Sequence, residues 1–300
     1  MSAQAADELM VLHMGFSCGV DGPGQRLVIY LKGCNLCCPW CAAPESISPQ
    51  PEVLFYPARV SAALAEKACP YHAVTVQASG ASTRNVAICN ECSNFACLRS
   101  GLSAFERAGE QYAVDDLVAK AERYRMFFGP DGGVTLGGGE PTYQFAGARR
   151  LLERLHAQGI HTAMETNGTH PDLPELFPKI KLLFIDLKHP DSRRCAQITG
   201  LGNEQVLANI RRRHAEGGAM VVRIPLVPQA NADESTLHAF GSTLGEIGAV
   251  SVEVLPFHRR GEVKWRAIGQ NMPAADTREP FAEDIVTATA ILAGYGLKVI

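Results

Sequence analysis

Apolar residues recur along this chain at two spacings, one typical of buried strands and the other of helices. Short runs rich in aliphatic and β-branched residues predict strands over 26–32, 133–136, 161–166, 182–187, 220–225, 251–255 and 297–300. Apolar residues at three- and four-residue spacing predict helices over 114–124, 145–158, 203–216, 235–247 and 281–294. This alternation favours a parallel sheet covered by helices, as an open sheet or as a full or partial barrel.

The alternation breaks between residues 42 and 111. A proline-rich stretch there leads into one short helical pattern and then into four cysteines. We therefore expect an inserted small domain over 42–111, with residues 1–41 and 112–300 forming the principal α/β domain. In such folds the chemistry gathers at the carboxyl ends of the strands, and here glycine-rich, charged and histidine-bearing segments follow the strands.

Composition and charge narrow the functional classes. Hydrophobic residues make up 46% and charged residues 20% of the chain, which is ordinary for a globular protein with a sizeable core. The formal net charge of -3 gives no general attraction to nucleic acid. There is no basic leader followed by an apolar run, and no stretch approaches the length of a membrane span. We expect a cytoplasmic monomer that binds neither nucleic acid nor membrane.

Ten cysteines in a chain of this size point to metal or redox chemistry. Cys34, Cys38 and Cys41 follow a predicted strand in a CxxxCxxC spacing. Three thiolates can hold three irons of a 4Fe-4S cluster and leave the fourth iron open to an exogenous ligand. A zinc site that also uses Cys37 is the alternative, but the adjacent pairs leave no chain to surround a tetrahedral ion. Outside the two cysteine groups lie Cys18, Cys37 and Cys195.

A series of short motifs runs in order through nearly all of the chain outside the insertion. They are DGPG at 21–24 with Arg26, KGC at 32–34, PES at 44–46, TLGGGEP at 135–141, METNG at 164–168, IDLK at 185–188, VRIPLVP at 222–228, LPFH at 255–258 and VKW at 263–265. Together with the CxxxCxxC spacing, they resemble the glycyl-radical-enzyme activating enzymes of the radical S-adenosylmethionine superfamily, which include the pyruvate formate-lyase activating enzyme.

The resemblance implies a partial (β/α)6 TIM-like barrel with a small ferredoxin-like, cysteine-rich insertion. It also implies an enzyme in which S-adenosylmethionine chelates the open iron. One electron from flavodoxin or ferredoxin then yields a 5′-deoxyadenosyl radical, which takes hydrogen from a backbone glycine of a partner glycyl-radical enzyme. The alternatives are a radical enzyme that acts directly on a small molecule or peptide, and a non-enzymatic electron-transfer or zinc-stabilised module. The sequence does not identify the partner.

The resemblance also assigns residues to the cofactor. The glycines of GGEP permit close backbone approach, and the carboxylate of Glu140 can pair with the methionyl ammonium. Lys188 engages the cofactor carboxylate, while Asp186 and Glu165 hold a monovalent cation, although the compared activase has Asp at the position of Glu165. The implied cofactor-binding residues are Trp40, Gly138, Gly139, Glu140, Asp186, Lys188, Arg223 and His258.

One position departs from the family pattern. Ala43 stands where the compared activase has an asparagine that can contact the cofactor. The loss of one hydrogen bond is worth about 1 kcal/mol and should not abolish binding.

The second cysteine group resembles a reduced ferredoxin-like insertion. Cys69, followed by Pro70, would join Cys89, Cys92 and Cys97 around a single auxiliary 4Fe-4S cluster. Phe95 stands where the ferredoxin run would place its next cysteine, and the CxxC pair at 89–92 also suits zinc. Iron-sulfur is favoured because the core motif already requires cluster assembly, and zinc is the rival.

Overall fold

The computed structural model describes residues 7–248 and 250–300. Its strands are β1 Glu8–Cys18, β2 Gln25–Leu31, β3 Glu52–Phe55, β4 Val74–Val76, β5 Ser82–Arg84, β6 Phe105–Ala108, β7 Glu110–Ala113, β8 Gly133–Gly138, β9 Thr162–Thr166, β10 Leu182–Asp186, β11 Met220–Leu226, β12 Ser251–Pro256 and β13 Lys298–Val299. Its helices are α1 Ala62–Ala68, α2 Val86–Glu91, α3 Val114–Arg123, α4 Arg125–Phe128, α5 Phe145–Ala157, α6 Ser192–Thr199, α7 Glu204–Ala215, α8 Glu234–Gly245, α9 Glu262–Ala267 and α10 Ala282–Ala293.

Within these residues, nine strands form the main sheet in the order β13-β12-β11-β10-β9-β8-β2-β1-β7. Strands β2 and β8 to β13 run parallel to one another, while β1 is antiparallel to both β2 and β7. Six parallel strands, β2 and β8 through β12, supply the βα units. The two edges, β13 and β7, are not paired with each other in the described part of the chain, so the barrel is incomplete, as predicted.

The two faces of the sheet differ in what covers them. Alternate residues such as Met164, Leu183 and Val222 join the main hydrophobic core, to which α3, α5, α7, α8 and α10 contribute. Because side chains alternate along a strand, their neighbours point to the opposite face. There Phe184 and Val221 form a small separate cluster below the polar residues at the strand ends. All these helices therefore pack on one face, and the other face forms the barrel interior.

The predicted strands and helices of the main domain are confirmed, with ends that differ by at most two residues. The pattern missed β1 and β7, which extend the sheet beyond β2. It also missed the short helices α4, α6 and α9. Since β7 begins at Glu110, the main sheet takes in residues slightly before the expected domain boundary at 112.

The insertion has its own small elements. Strand β3 pairs with β6, and β4 pairs with β5, in two separate antiparallel sheets. A distinct apolar cluster, which includes Phe55, Ala65 and Phe105, packs inside it. The division into two domains at 42–111 stays a prediction. Among the described helices, none has both the length and the apolar character required to cross a membrane.

Candidate active site at the carboxyl ends of the strands

A cavity of about 290 Å³ lies at the carboxyl ends of the parallel strands. Residues from separate motifs meet there because the strands that precede them are neighbours in the sheet. The strand register places the motifs side by side, because Leu31 pairs with Gly138 and Asp186 pairs with Arg223 on neighbouring strands. The predicted site residues that line the cavity are Cys34, Cys38, Trp40, Cys41, Gly138, Gly139, Glu165, Asp186, Lys188, Arg223 and His258.

The three cysteines lie on the loop that follows β2. The loop is held by backbone hydrogen bonds: the Gly33 N–H donates to Ser46 at 2.7 Å, and the Cys34 N–H donates to Ile47 at 3.0 Å. Burial raises the pKa of the Cys34 thiol to about 11 and that of Cys38 to about 12. These thiols are therefore protonated at neutral pH until a metal displaces the protons.

Cys37 points away from this group. Its Sγ donates to the carbonyl oxygen of Thr199 at 3.3 Å, and its backbone N–H donates to the same oxygen at 2.9 Å. The side chain is exposed and does not line the cavity. This placement separates it from the three cysteines of the CxxxCxxC motif.

Lys188 carries a fixed positive charge into the cavity. Its Nζ lies 2.8 Å from Oδ2 of Asp186. Burial opposes the charged form, but the carboxylate of Asp186 outweighs it and raises the pKa of Lys188. The ammonium group can therefore bind an anionic ligand group in the cavity.

Arg223 is held from several sides. Its guanidinium contacts Glu165 at 2.5 Å and Glu253 at 2.7 Å, and it lies 3.8 Å above the ring of Phe184. Burial raises the pKa of Glu165 to about 7, although the paired Arg223 opposes the shift. The orientation of Arg223 is fixed by these contacts before any ligand binds.

The structure does not place the Glu140 carboxylate where it was expected. The residue is 1% exposed and lies behind the cavity wall. Oε1 accepts from the backbone N–H of Thr142 at 2.9 Å and from the hydroxyls of Thr142 and Thr166 at 2.6 and 2.8 Å. Oε2 accepts from the N–H of Asn167 at 2.6 Å. Both carboxylate oxygens therefore accept hydrogen bonds within the protein, and those from Thr166 and Asn167 connect the end of β8 to the end of β9. Gly138 and Gly139, rather than Glu140, line the cavity.

The cysteines of the insertion also meet. Cys69, Cys89, Cys92 and Cys97 all line one small cavity of about 20 Å³, beside Pro70 and Phe95. Cys69 is buried and the other three are half-buried. Burial raises the pKa of Cys97 to about 11, and the neighbouring thiols add to the shift. In the described part of the chain, no three His, Cys, Asp or Glu side chains are positioned to hold a single metal ion.

Comparisons with known proteins show which family the chain belongs to. The model of the radical SAM superfamily matches residues 28–240. The 4-hydroxyphenylacetate decarboxylase activating enzyme of Clostridioides difficile strain 630 is 31% identical over 285 residues, with 92% of this chain and 90% of that protein covered. The pyruvate formate-lyase 2-activating enzyme of Escherichia coli K12 is 31% identical over 287 residues, covering 93% and 87%. The chain belongs to the radical SAM activating enzymes.

A solved structure supports the fold of this radical SAM enzyme. SuiB of Streptococcus suis, bound to the precursor peptide SuiA, superposes with a TM-score of 0.54 at 14% identity, and 91% of this chain and 48% of that chain are covered. At this identity the likeness concerns the fold alone.

The residues of this radical SAM enzyme fit the 4Fe-4S cluster and S-adenosylmethionine that its family uses. Three cysteines from one loop, one buried and two half-buried, line the same cavity, so a cluster held by them would have one side open to the cavity. Gly139 lets the GGEP segment pack closely against the cysteine loop, because a Cβ at this position would overlap the carbonyl oxygens of Gly33 and Ser46. Lys188 supplies a positive charge for a carboxylate, and His258 and Trp40 line the same cavity.

Asn167 is a cavity residue that was not singled out from the sequence. Its Nδ2 donates to Oδ1 of Asn35 at 2.8 Å and lies 3.9 Å from Sγ of Cys34. The METNG motif contains it, but the motif by itself does not show that the amide faces the cysteine loop.

Two contacts of the VKW motif were also missed. The indole Nε1 of Trp265 donates to the carbonyl oxygen of Cys41 at 2.9 Å, and Nζ of Lys264 lies 2.6 Å from Oε1 of Glu45. The motif therefore clamps the cysteine loop from a distant part of the chain. Its sequence gives no signal of this role beyond its place in the family pattern.

Proposed function

We propose that this chain activates a glycyl-radical enzyme by removing a hydrogen atom from the α-carbon of a backbone glycine in that partner. The observation that carries the proposal is the similarity to named activating enzymes over more than nine-tenths of the chain. The open barrel supports it, because a polypeptide segment needs a mouth that is not sealed around a small ligand. Glycine suits the reaction, since its α-radical is stabilised by the flanking amide groups.

Bound together, the reduced cluster and S-adenosylmethionine supply the hydrogen-abstracting radical. The residues of the chain bind and orient the cofactor. Lys188 would bind the carboxylate of the cofactor, the backbone around Gly138 and Gly139 would bind its amino group, and Arg223 and His258 would contact the remainder of the molecule. No side chain is required as a general acid or base, and positioning supplies the selectivity.

The monovalent cation implied by the resemblance is not part of this proposal. Glu165 already faces the guanidinium of Arg223, and Asp186 already faces the ammonium of Lys188. A further cation would lie beside two fixed positive charges. The pair Glu165 and Asp186 therefore does not fit that role well.

We propose that the insertion holds an auxiliary 4Fe-4S cluster on Cys69, Cys89, Cys92 and Cys97, with zinc as the rival metal. Their common cavity supports a shared metal centre, and Cys69 followed by Pro70 supports the ferredoxin-like assignment. Flavodoxin or ferredoxin is proposed as the electron donor to the chain.

The proposal is tested with the anaerobically reconstituted protein, S-adenosylmethionine and a reductant. The candidate partners are any glycyl-radical protein encoded beside this gene, 4-hydroxyphenylacetate decarboxylase and pyruvate formate-lyase 2. A glycyl radical detected by electron paramagnetic resonance on one of them is the expected result. Cofactor cleavage without a radical on any of them would favour a direct action on a small molecule or peptide.

A further inference from the structure

A second and larger cavity, of about 570 Å³, lies between the barrel and the insertion. The insertion contributes Leu54 and Tyr56 to its wall, and the barrel contributes Tyr30. Two residues, Gly138 and Glu165, line both this cavity and the one that holds the cysteines. The two cavities therefore adjoin at the end of β8, beside the proposed cofactor site.

Glu45 gives the second cavity an unsatisfied hydrogen-bond acceptor. The residue is 4% exposed and lines the cavity. Its Oε1 pairs with Lys264 at 2.6 Å, whereas Oε2 is buried and has no hydrogen-bond partner among the described residues. A buried carboxylate oxygen without a partner is costly, so the site favours a ligand that brings a donor.

The position of the cavity indicates what that ligand is. In the proposed function, the cluster and the cofactor occupy the first cavity. The substrate that gives up its hydrogen atom must therefore approach them from an adjoining space. An extended polypeptide offers a backbone N–H at each residue other than proline, together with side chains for a wall that combines apolar, aromatic and charged residues. A peptide that lies in the second cavity would reach the cofactor where Gly138 and Glu165 border both spaces.

We propose that the second cavity binds the glycine-bearing segment of the partner enzyme, with a hydrogen-bond donor of that segment on Oε2 of Glu45. The inference rests on the proposed function and adds a binding site to it. It also gives the insertion a second role, because Leu54 and Tyr56 form part of the substrate wall independently of any metal that the insertion holds.

The test compares Glu45→Gln with Lys264→Met in the fully loaded enzyme. Both variants remove the ion pair between Glu45 and Lys264, but only the first replaces the carboxylate group of the residue that lines the cavity. A third variant, Tyr56→Ala, alters a wall residue of the second cavity that the insertion contributes. For each, we would measure the KM for the partner that the wild-type chain activates, and the number of glycyl radicals formed per S-adenosylmethionine cleaved.

Glu45→Gln should raise the KM for the partner by about tenfold or more, as expected for a lost charge-assisted hydrogen bond. It should also lower the number of radicals per cofactor cleaved, and Tyr56→Ala should shift both values in the same direction. Lys264→Met should have a clearly smaller effect, since it retains the acceptor. The ratio of radicals to cleavage separates this role from a loss of cluster, which would lower both counts together.

Equal effects of Glu45→Gln and Lys264→Met, or a normal KM and radical yield in Glu45→Gln and Tyr56→Ala, would overturn the inference while leaving the proposed function intact. If the wild-type chain forms a radical on no partner, the proposed function fails first and this inference fails with it.

Discussion

At the scale of single residues, the site depends on which cysteines face the cavity. Cys34, Cys38 and Cys41 line it, while Cys37 is turned to the carbonyl of Thr199. The first three should each be required for the cluster, and the fourth should not.

The prediction is that Cys34→Ala, Cys38→Ala and Cys41→Ala each abolish reductive cleavage of S-adenosylmethionine to methionine and 5′-deoxyadenosine. Cys37→Ala is the matched control and should retain cleavage. The assay is chromatographic quantification of 5′-deoxyadenosine after anaerobic reconstitution. If Cys37 proved as necessary as Cys38, the assignment of ligands would be wrong.

Residue identities in the site were predictable where a motif carried them, and side-chain directions were not. Lys188 and Asp186 share a face because they are two positions apart at the end of β10, a relation visible in the sequence. The direction of the Glu140 carboxylate depends on Thr166 and Asn167, which arrive from the next strand. No local sequence pattern shows that Thr166 and Asn167 donate hydrogen bonds to this carboxylate, which leaves it unavailable to a ligand.

At the scale of elements, strong periodicity predicted the parallel strands and their helices to within two residues. Strand β1 was missed because Glu8–Cys18 has no clean alternation: much of it is only half-buried, and exposed residues are concentrated toward its end. Its place in the sheet is set by pairing with β2 on one side and β7 on the other, and both of these strands follow it in the chain.

The start of helix α8 offers a test of local capping. Asp233 accepts from the backbone N–H of Thr236 at 3.0 Å and from the hydroxyl of Thr236 at 2.7 Å. Hydrogen bonds from Ser235 and Thr236 lower the pKa of Asp233 to about 2. Asp233→Ala should lower the free energy of unfolding by about 1 kcal/mol at neutral pH.

The pH dependence of that loss has a definite sign. The folded pKa of Asp233 is depressed, so its contribution is present above the unfolded pKa and disappears as the pH falls toward about 2. Urea unfolding of wild type and variant should therefore converge on acidification. Glu234→Ala removes a neighbouring exposed carboxyl group without removing the cap and serves as the control. A gap between wild type and Asp233→Ala that widened in acid would refute the account of the cap.

At the scale of the whole molecule, the barrel and the insertion each gather a group of cysteines. Iron and sulfide analysis should give about eight irons per chain if both groups hold cubane clusters, and about four irons with one zinc if the insertion holds zinc. The double variant Cys69→Ala, Cys89→Ala should remove only the second centre. Loss of both centres would show that the insertion is not an independent site.

The sequence could place the two cysteine groups in different parts of the fold, but it could not show the space between them. The second cavity is formed by Leu54 and Tyr56 from the insertion together with Tyr30 from β2. Such a space depends on how segments that are far apart in the chain pack together, which no local periodicity encodes.

The most direct test of the central claim is to follow one hydrogen atom. A partner enzyme that contains glycine deuterated at the α-carbon is incubated with the reconstituted chain, S-adenosylmethionine and reductant, and 5′-deoxyadenosine is analysed by mass spectrometry. The expected result is one deuterium in 5′-deoxyadenosine, together with a glycyl radical on the partner. A radical-free partner and 5′-deoxyadenosine without deuterium would contradict the central claim.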